Sequence, residues 1–170
     1  MAVVVSDTTP LHYLILIGQE TVLEKLYGQV IVPPAVLQEL SHSAAPIEVI
    51  AWAKAPPAWL QIQTPTHVPT QFDLLDFGER QALALAQEIR AELVLLDDKA
   101  ARRAAERESF KVKGTLGIVA DAAKIGLLDF RKTVETLQQT SMHLEPQLAQ
   151  RLIAEYESRM AKSVDKKLDR

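Results

Sequence analysis

Three β-branched residues, Val3-Val4-Val5, run straight into Ser6-Asp7-Thr8-Thr9-Pro10-Leu11. An unbroken β-branched run reads as a strand buried on both faces, the kind a parallel sheet uses. A helix start follows. Thr9 suits the N-cap, and Pro10 suits the first helical position, where its missing N–H would go unpaired anyway. Asp7 is thereby left at the carboxyl end of a buried strand, where open α/β sheets hold their ligands.

The same pattern recurs downstream. Residues 29–32 predict a second buried strand, closed by Pro33-Pro34, and Pro34 opens a helix to about 40 with Val36, Leu37 and Leu40 on its apolar face. Short helical patterns at 11–16 and 23–26 are broken at Gly18 and stopped at Gly28. A helix is expected over 44–53, ended by Ala55-Pro56-Pro57, and 59–63 alternates weakly, as an edge strand does. An amphipathic helix spans 76–89, a third buried strand 93–96, a helix 99–108, and a short strand 110–113. Thr115 caps a helix that ends near Gly126; from Asp129 the chain is helical, with Glu145-Pro146 opening the last helix and residues 162–170 expected to fray as a polar tail. Strands alternating with helices imply an α/β fold, an open and mostly parallel sheet with helices on both faces. At 170 residues this is one folding unit, with residues 1–140 as its α/β body and 141–170 as a helical extension of it.

Composition narrows the chemistry. There are no cysteines, which removes disulfides, thiolate metal sites and cysteine nucleophiles. Aromatic residues are 5% of the chain, too few for a base-stacking surface spread over a sheet. The formal net charge of −3 argues against holding nucleic acid by bulk charge, and leaves the work to a local basic patch or a bound cation. No apolar run approaches the roughly 20 residues of a membrane span, and the first one is short, lacks a basic leader and meets Asp7 at once. A cytoplasmic location, with no membrane partner, is the expectation.

Four acids fall at strand ends or in the first turns of the helices that follow: Asp7, Glu39, Glu79 and Asp98, with Asp97 competing for the last role. Glu39 lies three residues after Val36 and Glu79 four before Leu83, so both border inward helix faces. Carboxylates gathered at one edge of a sheet repel one another unless protonated or neutralised by a cation. All-oxygen ligation is what Mg²⁺ or Mn²⁺ prefers, and such a metal lowers the pKa of a bound water and polarises a phosphodiester.

Each acid also admits a purely structural role. Asp7 can cap a helix, Glu39 can be solvated, Glu79 forms a capping box with Asp76, and Asp97 or Asp98 is ordinary N-cap material. Convergence at one edge, rather than any single position, carries the catalytic reading. Lys99, Arg102, Arg103 and Arg80 stand beside the proposed site as candidates for holding phosphates. The alternative for the first three is a solvated face paired with Glu106 and Glu108. Thr8 is a candidate to bond a metal-bound water or Asp7, and Thr115 stands near the same edge as a candidate to act behind the acids. His12, His42, His67 and His143 show no ligand spacing.

These residues resemble, in order, the four acidic motifs of PIN domains. The matching stretches are Val-Ser-Asp-Thr-Thr-Pro-Leu around Asp7, Val-Pro-Pro-Ala-Val-Leu-Gln-Glu-Leu ending at Glu39, Gly-Glu-Arg-Gln-Ala-Leu-Ala-Leu-Ala around Glu79, and Leu-Leu-Asp-Asp-Lys-Ala-Ala-Arg-Arg around Asp98. Gly114-Thr115-Leu116-Gly117 resembles the Gly-Thr stretch that closes the motif series in one PIN-like subfamily. The third acid is Glu where many PIN domains have Asp, and its longer arm still reaches a metal. The resemblance implies a three-layer, Rossmann-like fold and a Mg²⁺- or Mn²⁺-dependent endoribonuclease in which Asp7, Glu39, Glu79 and Asp98, or Asp97 in place of Asp98, hold the metal. It also implies a toxin of the VapC type, paired with a cognate antitoxin protein, and a homodimer. A PIN-like module that binds RNA or protein without cutting is the alternative. A receiver-type phosphoacceptor would need its acid pair after the first strand, and a haloacid-dehalogenase-type phosphatase would need Asp where Thr9 stands.

Overall fold

The structure is a computed structural model, and it describes residues 2–168. Its β-branched and leucine-rich runs form five three-residue strands: β1 (Val4–Ser6), β2 (Val30–Val32), β3 (Leu60–Ile62), β4 (Leu93–Leu95) and β5 (Lys111–Lys113). Every pairing is parallel, in the order β3-β2-β1-β4-β5. Helices α1 (Thr8–Leu16) and α2 (Thr21–Tyr27) connect β1 to β2, and α3 (Pro34–Leu40) and α4 (Ile47–Lys54) connect β2 to β3. Helix α5 (Phe77–Glu88), preceded by a 3-10 turn at Thr70–Phe72, carries the chain back across the sheet to β4, and α6 (Lys99–Arg107) leads on to β5. Right-handed crossovers put their helices on a face set by the direction of travel, so α1–α4 cover one face and α5 and α6 the other. The result is the three-layer α/β fold expected from the sequence.

The direction of travel reverses between β1 and β4, which opens a crevice at the carboxyl ends of those two strands. Beneath it, Val5, Val94 and Leu96 meet Leu83 and Ala86 of α5, Ala101 and Ala105 of α6, and the buried Phe72. The alanines let both helices lie close to the sheet, and each buried leucine contributes about 1.5–3 kcal/mol. These contacts make the crevice floor rigid.

Three local expectations are corrected. Asp7, not Thr9, holds the N-cap position of α1, in extended backbone and without a side-chain cap bond. The cause is that the Asp7 amide donates to the Leu95 carbonyl at 3.0 Å, extending the β1–β4 ladder one step further. Pro10 then falls inside the first turn, where a missing N–H is still harmless. Helix α4 begins after Pro46 rather than at 44, because a residue preceding proline is driven out of the helical region. Residues 162–168, expected to fray, continue helix α9 (Pro146–Leu168), with Lys166 and Lys167 in the last turn opposing the helix dipole; the rest of that tail, 169–170, lies outside the described residues.

The chain forms two compact units, Met1–Thr115 and Leu116–Arg170. The second holds most of α7 (Thr115–Lys124) with α8 (Phe130–Gln138) and α9. Within it Phe130 stacks on Tyr156 at 4.3 Å, and Arg131 binds Glu157 through two hydrogen bonds of 3.0 Å. No helix among the described residues is long and apolar enough to cross a membrane.

Candidate active site

Asp7 ends β1 with 4% of its surface exposed, and its Oδ1 is buried without a hydrogen-bond partner. Burial pushes its carboxyl from the ordinary 3.8 up to about 7; the Thr8 amide opposes this, while the charges of Glu79, Glu39 and Asp97 add to it. Those three acids lie on three different elements, and Asp98, expected as the fourth, is not among the charges acting on Asp7.

Glu39, expected at a strand end or in a first helical turn, lies instead in the last turn of α3, a helix of seven residues, and is tied to both neighbouring helices. The Thr8 hydroxyl of α1 donates to its Oε2, and the Gly78 amide of α5 donates to its Oε1 at 3.0 Å. A Cβ at position 78 would lie 2.7 Å from the Glu39 carboxyl carbon, so any other residue there would push this carboxylate away from the α5 amide. An N-terminal helix end also favours a carboxylate. Glu79 follows at once. Its side chain accepts the Asp76 amide at 3.1 Å as one half of a capping box, and burial raises its pKa, with that amide opposing and Asp98, Asp76 and Glu39 adding. The structural role foreseen for Glu79 and its place among the acids therefore coexist.

Asp97 and Asp98 divide their work. Asp98 caps α6 by accepting the Ala101 amide at 2.9 Å. Asp97, one step nearer β4, is gripped by Thr115: its Oδ1 accepts the amide at 2.8 Å and its Oδ2 the hydroxyl at 2.6 Å, and Thr115 is fully buried. A Cβ on Gly114 would stand 2.7 Å from Asp97 Oδ1 and 2.8 Å from Arg102 Nη1. The Gly-Thr pair is thus a close approach followed by a clamp. Thr8, expected at Asp7 or a metal-bound water, bonds Glu39 instead, and Thr115 bonds Asp97.

The cations separate as well. Arg102 is half-buried and its Nη1 donates to the Leu96 carbonyl at 3.5 Å, which turns it inward rather than toward a ligand. Lys99 and Arg103 are exposed, and among the described residues neither meets a carboxylate at ion-pair distance, so pairing with Glu106 and Glu108 does not occur. Arg80 lies 3.9 Å from Asp73 and over the Phe77 ring. No histidine acts on Asp7 or Glu79.

Among the described residues no three carboxylate or imidazole side chains stand close enough to enclose a metal ion. Glu39, Glu79, Asp97 and Asp98 are each turned to a protein donor. Asp7 Oδ1 is not. A buried, unpartnered acceptor in the field of three other acids is the electrostatic complement of a cation, and the donors around it are all oxygen. The donor chemistry fits a hard divalent ion. Gly78 and Gly114 stand within the matching stretches, but sequence reading gave neither a role; the signal was a glycine directly before an acid and one directly before the clamping threonine.

Neither a curated protein nor a solved structure matches this chain. A family model described as DUF3368, a PIN domain, matches residues 3–158. The match spans every strand of the sheet and all the acids at its carboxyl end, and the chain belongs to the PIN domain family.

Proposed function

We propose that this chain is a Mg²⁺- or Mn²⁺-dependent endoribonuclease that hydrolyses phosphodiester bonds of single-stranded or structured RNA, acting as the toxin of a toxin–antitoxin pair. The observation that carries the reading is the buried, unpartnered Asp7 oxygen surrounded by the charges of Glu79, Glu39 and Asp97. The metal would be held by Asp7 and Asp97 from the strand ends and by Glu39 and Glu79 from the helices, with Asp98 adding charge beside Glu79. When bound, the ion supplies an acidified water and polarises the phosphodiester. The protein does the rest. Thr115 fixes Asp97, Thr8 and the Gly78 amide fix Glu39, and the rigid floor keeps Asp7 from turning out to solvent. Lys99 and Arg103, both exposed and free of ion pairs among the described residues, are the groups best able to hold RNA phosphates. An acidic crevice of this kind also suits an antitoxin segment that inserts an Arg or Lys, and the chain would work as a homodimer in the cytoplasm.

The test is cleavage of a labelled RNA panel by purified protein with Mg²⁺, Mn²⁺ or EDTA, beside Asp7→Asn. Metal-dependent cutting that drops by about a thousandfold in the variant, equivalent to about 4 kcal/mol of lost transition-state stabilisation, is expected. Folded protein that cuts nothing with either ion would move the reading to a PIN-like module that binds without cutting.

A further inference from the structure

We propose that Phe77 and Arg80 form a seat for one unpaired nucleobase and its phosphate beside the carboxylates. The inference deepens the ribonuclease reading and rests on it. Phe77 is the first residue of α5, followed directly by Gly78, whose amide holds Glu39, and by Glu79. Its ring is therefore carried by the same turn that positions two of the acids. Phe72 and Phe130 are buried and Phe110 packs against the core, whereas Phe77 is 51% exposed. Phenylalanine is not a favourable helix former, so an exposed ring there does little for α5 itself.

Arg80, one turn along the helix, has its guanidinium carbon 5.9 Å from the Phe77 ring centroid, within cation–π range. Its ion pair with Asp73 is long at 3.9 Å, and its Nε is buried without a hydrogen-bond partner. The buried Nε cannot meet a phosphate, but the side chain is 32% exposed, and a guanidinium binds phosphate through its exposed N–H groups. A cation at this rim also offsets the repulsion that the acids exert on an incoming phosphate. Stacking on an aromatic ring accepts any base, because every base has a π face, but a base inside a duplex is already stacked and paired. The fully exposed Leu74 lies on the same loop, and an apolar patch alone would suit a protein partner. The guanidinium over the ring favours a nucleotide, whose base and phosphate need an aromatic face and a cation together.

The test uses the full chain carrying Asp7→Asn, so that RNA stays intact, with Mg²⁺ present. A single-stranded RNA bearing 2-aminopurine, and the same strand annealed to its complement, are titrated against this protein and against versions with Phe77→Ala, Phe77→Trp or Leu74→Ala added. The seat predicts quenching by the single strand and weaker binding of the duplex. Phe77→Ala should bind about tenfold more weakly and lose the quench, Phe77→Trp should keep both, and Leu74→Ala should stay within about twofold. Unchanged binding and quench in Phe77→Ala, equal losses in Leu74→Ala, equal binding of duplex, or no RNA binding at all would each overturn the seat. Cleavage by the unmodified chain is scored separately. Cutting that depends on Asp7 while Phe77→Ala keeps its quench removes the seat alone, and a quench without cutting removes the nuclease reading and leaves the seat.

Discussion

The two ends of the parallel sheet are built on opposite principles. At the carboxyl end the chain buries Ser6, Asp7 and Thr115, and of these Asp7 retains an oxygen with no partner. At the amino end the polar groups given up by the helices are backbone alone. The Ala91 amide closes α5 on the Ala86 carbonyl at 2.8 Å, and the Phe110 amide closes α6 on Ala105 at 3.0 Å. Arg90 and Ser109 pay for these closures with positive φ angles of 53° and 65°. Strain at the amino end is conformational and serves the turn of the chain, whereas strain at the carboxyl end is electrostatic and serves nothing in the fold. Uncompensated electrostatic cost is the kind that a ligand relieves.

The largest effect that sharpens this contrast is the pH dependence of stability in the absence of metal. Below about pH 4 Asp7 is protonated in both the folded and the unfolded chain. Between there and about 7 the unfolded chain releases the proton and the folded chain keeps it, and above about 7 the folded chain carries a buried anion. The stability this residue contributes is full at acid pH and is lost as pH rises through that window, on the order of 2–4 kcal/mol in all. In EDTA, Asp7→Asn should therefore unfold at higher urea than the natural chain at pH 8 and at nearly the same urea at pH 4. Equal midpoints for the two proteins at pH 8 would mean that the carboxyl end stores no such cost.

Next in size is the division of labour between neighbouring acids. Asp97 is held by Thr115 and acts on Asp7, while Asp98 bonds the Ala101 amide. Asp97→Asn should lower cleavage by about a hundredfold, near 2.7 kcal/mol, with little change in unfolding. Asp98→Ala should keep cleavage within severalfold and cost about 1 kcal/mol of stability through the lost cap. The reverse pattern, measured by initial rates and thermal unfolding on the same preparations, would exchange the two roles.

That pair also marks how far the sequence could be read. The strands, their alternation with helices and the edge position of β3 follow from β-branched runs and turn residues, which act locally. The placing of Asp7 at a strand end follows in the same way. Which of Asp97 and Asp98 caps α6 does not, because both are good caps; Asp98 takes that place, and Asp97 is bonded by Thr115, 18 residues away on the neighbouring strand's exit. Arg102 is likewise indistinguishable from Arg103 in the sequence; the register of α6 turns one toward the Leu96 carbonyl and the other to solvent. Long-range partners decided what periodicity left open.

The smallest effect concerns the amino end. Ser109 adopts a left-handed conformation that glycine reaches without a Cβ penalty of roughly 1 kcal/mol. Its side chain is exposed, and its amide donates to the Glu106 carbonyl at 2.9 Å, a bond that glycine keeps. Ser109→Gly should therefore gain about 0.5–1 kcal/mol, reduced from the full penalty because glycine also loosens the unfolded chain. For a chain of this size that is about 1–4 °C in Tm, with cleavage unchanged. If Ser109→Gly instead altered cleavage, the amino end would be coupled to the acids through α6, whose first turn carries Asp98 as its cap and whose last turn leads to Ser109. The contrast between a working end and a merely structural one would then fail, and α6 would have to be treated as a lever joining them.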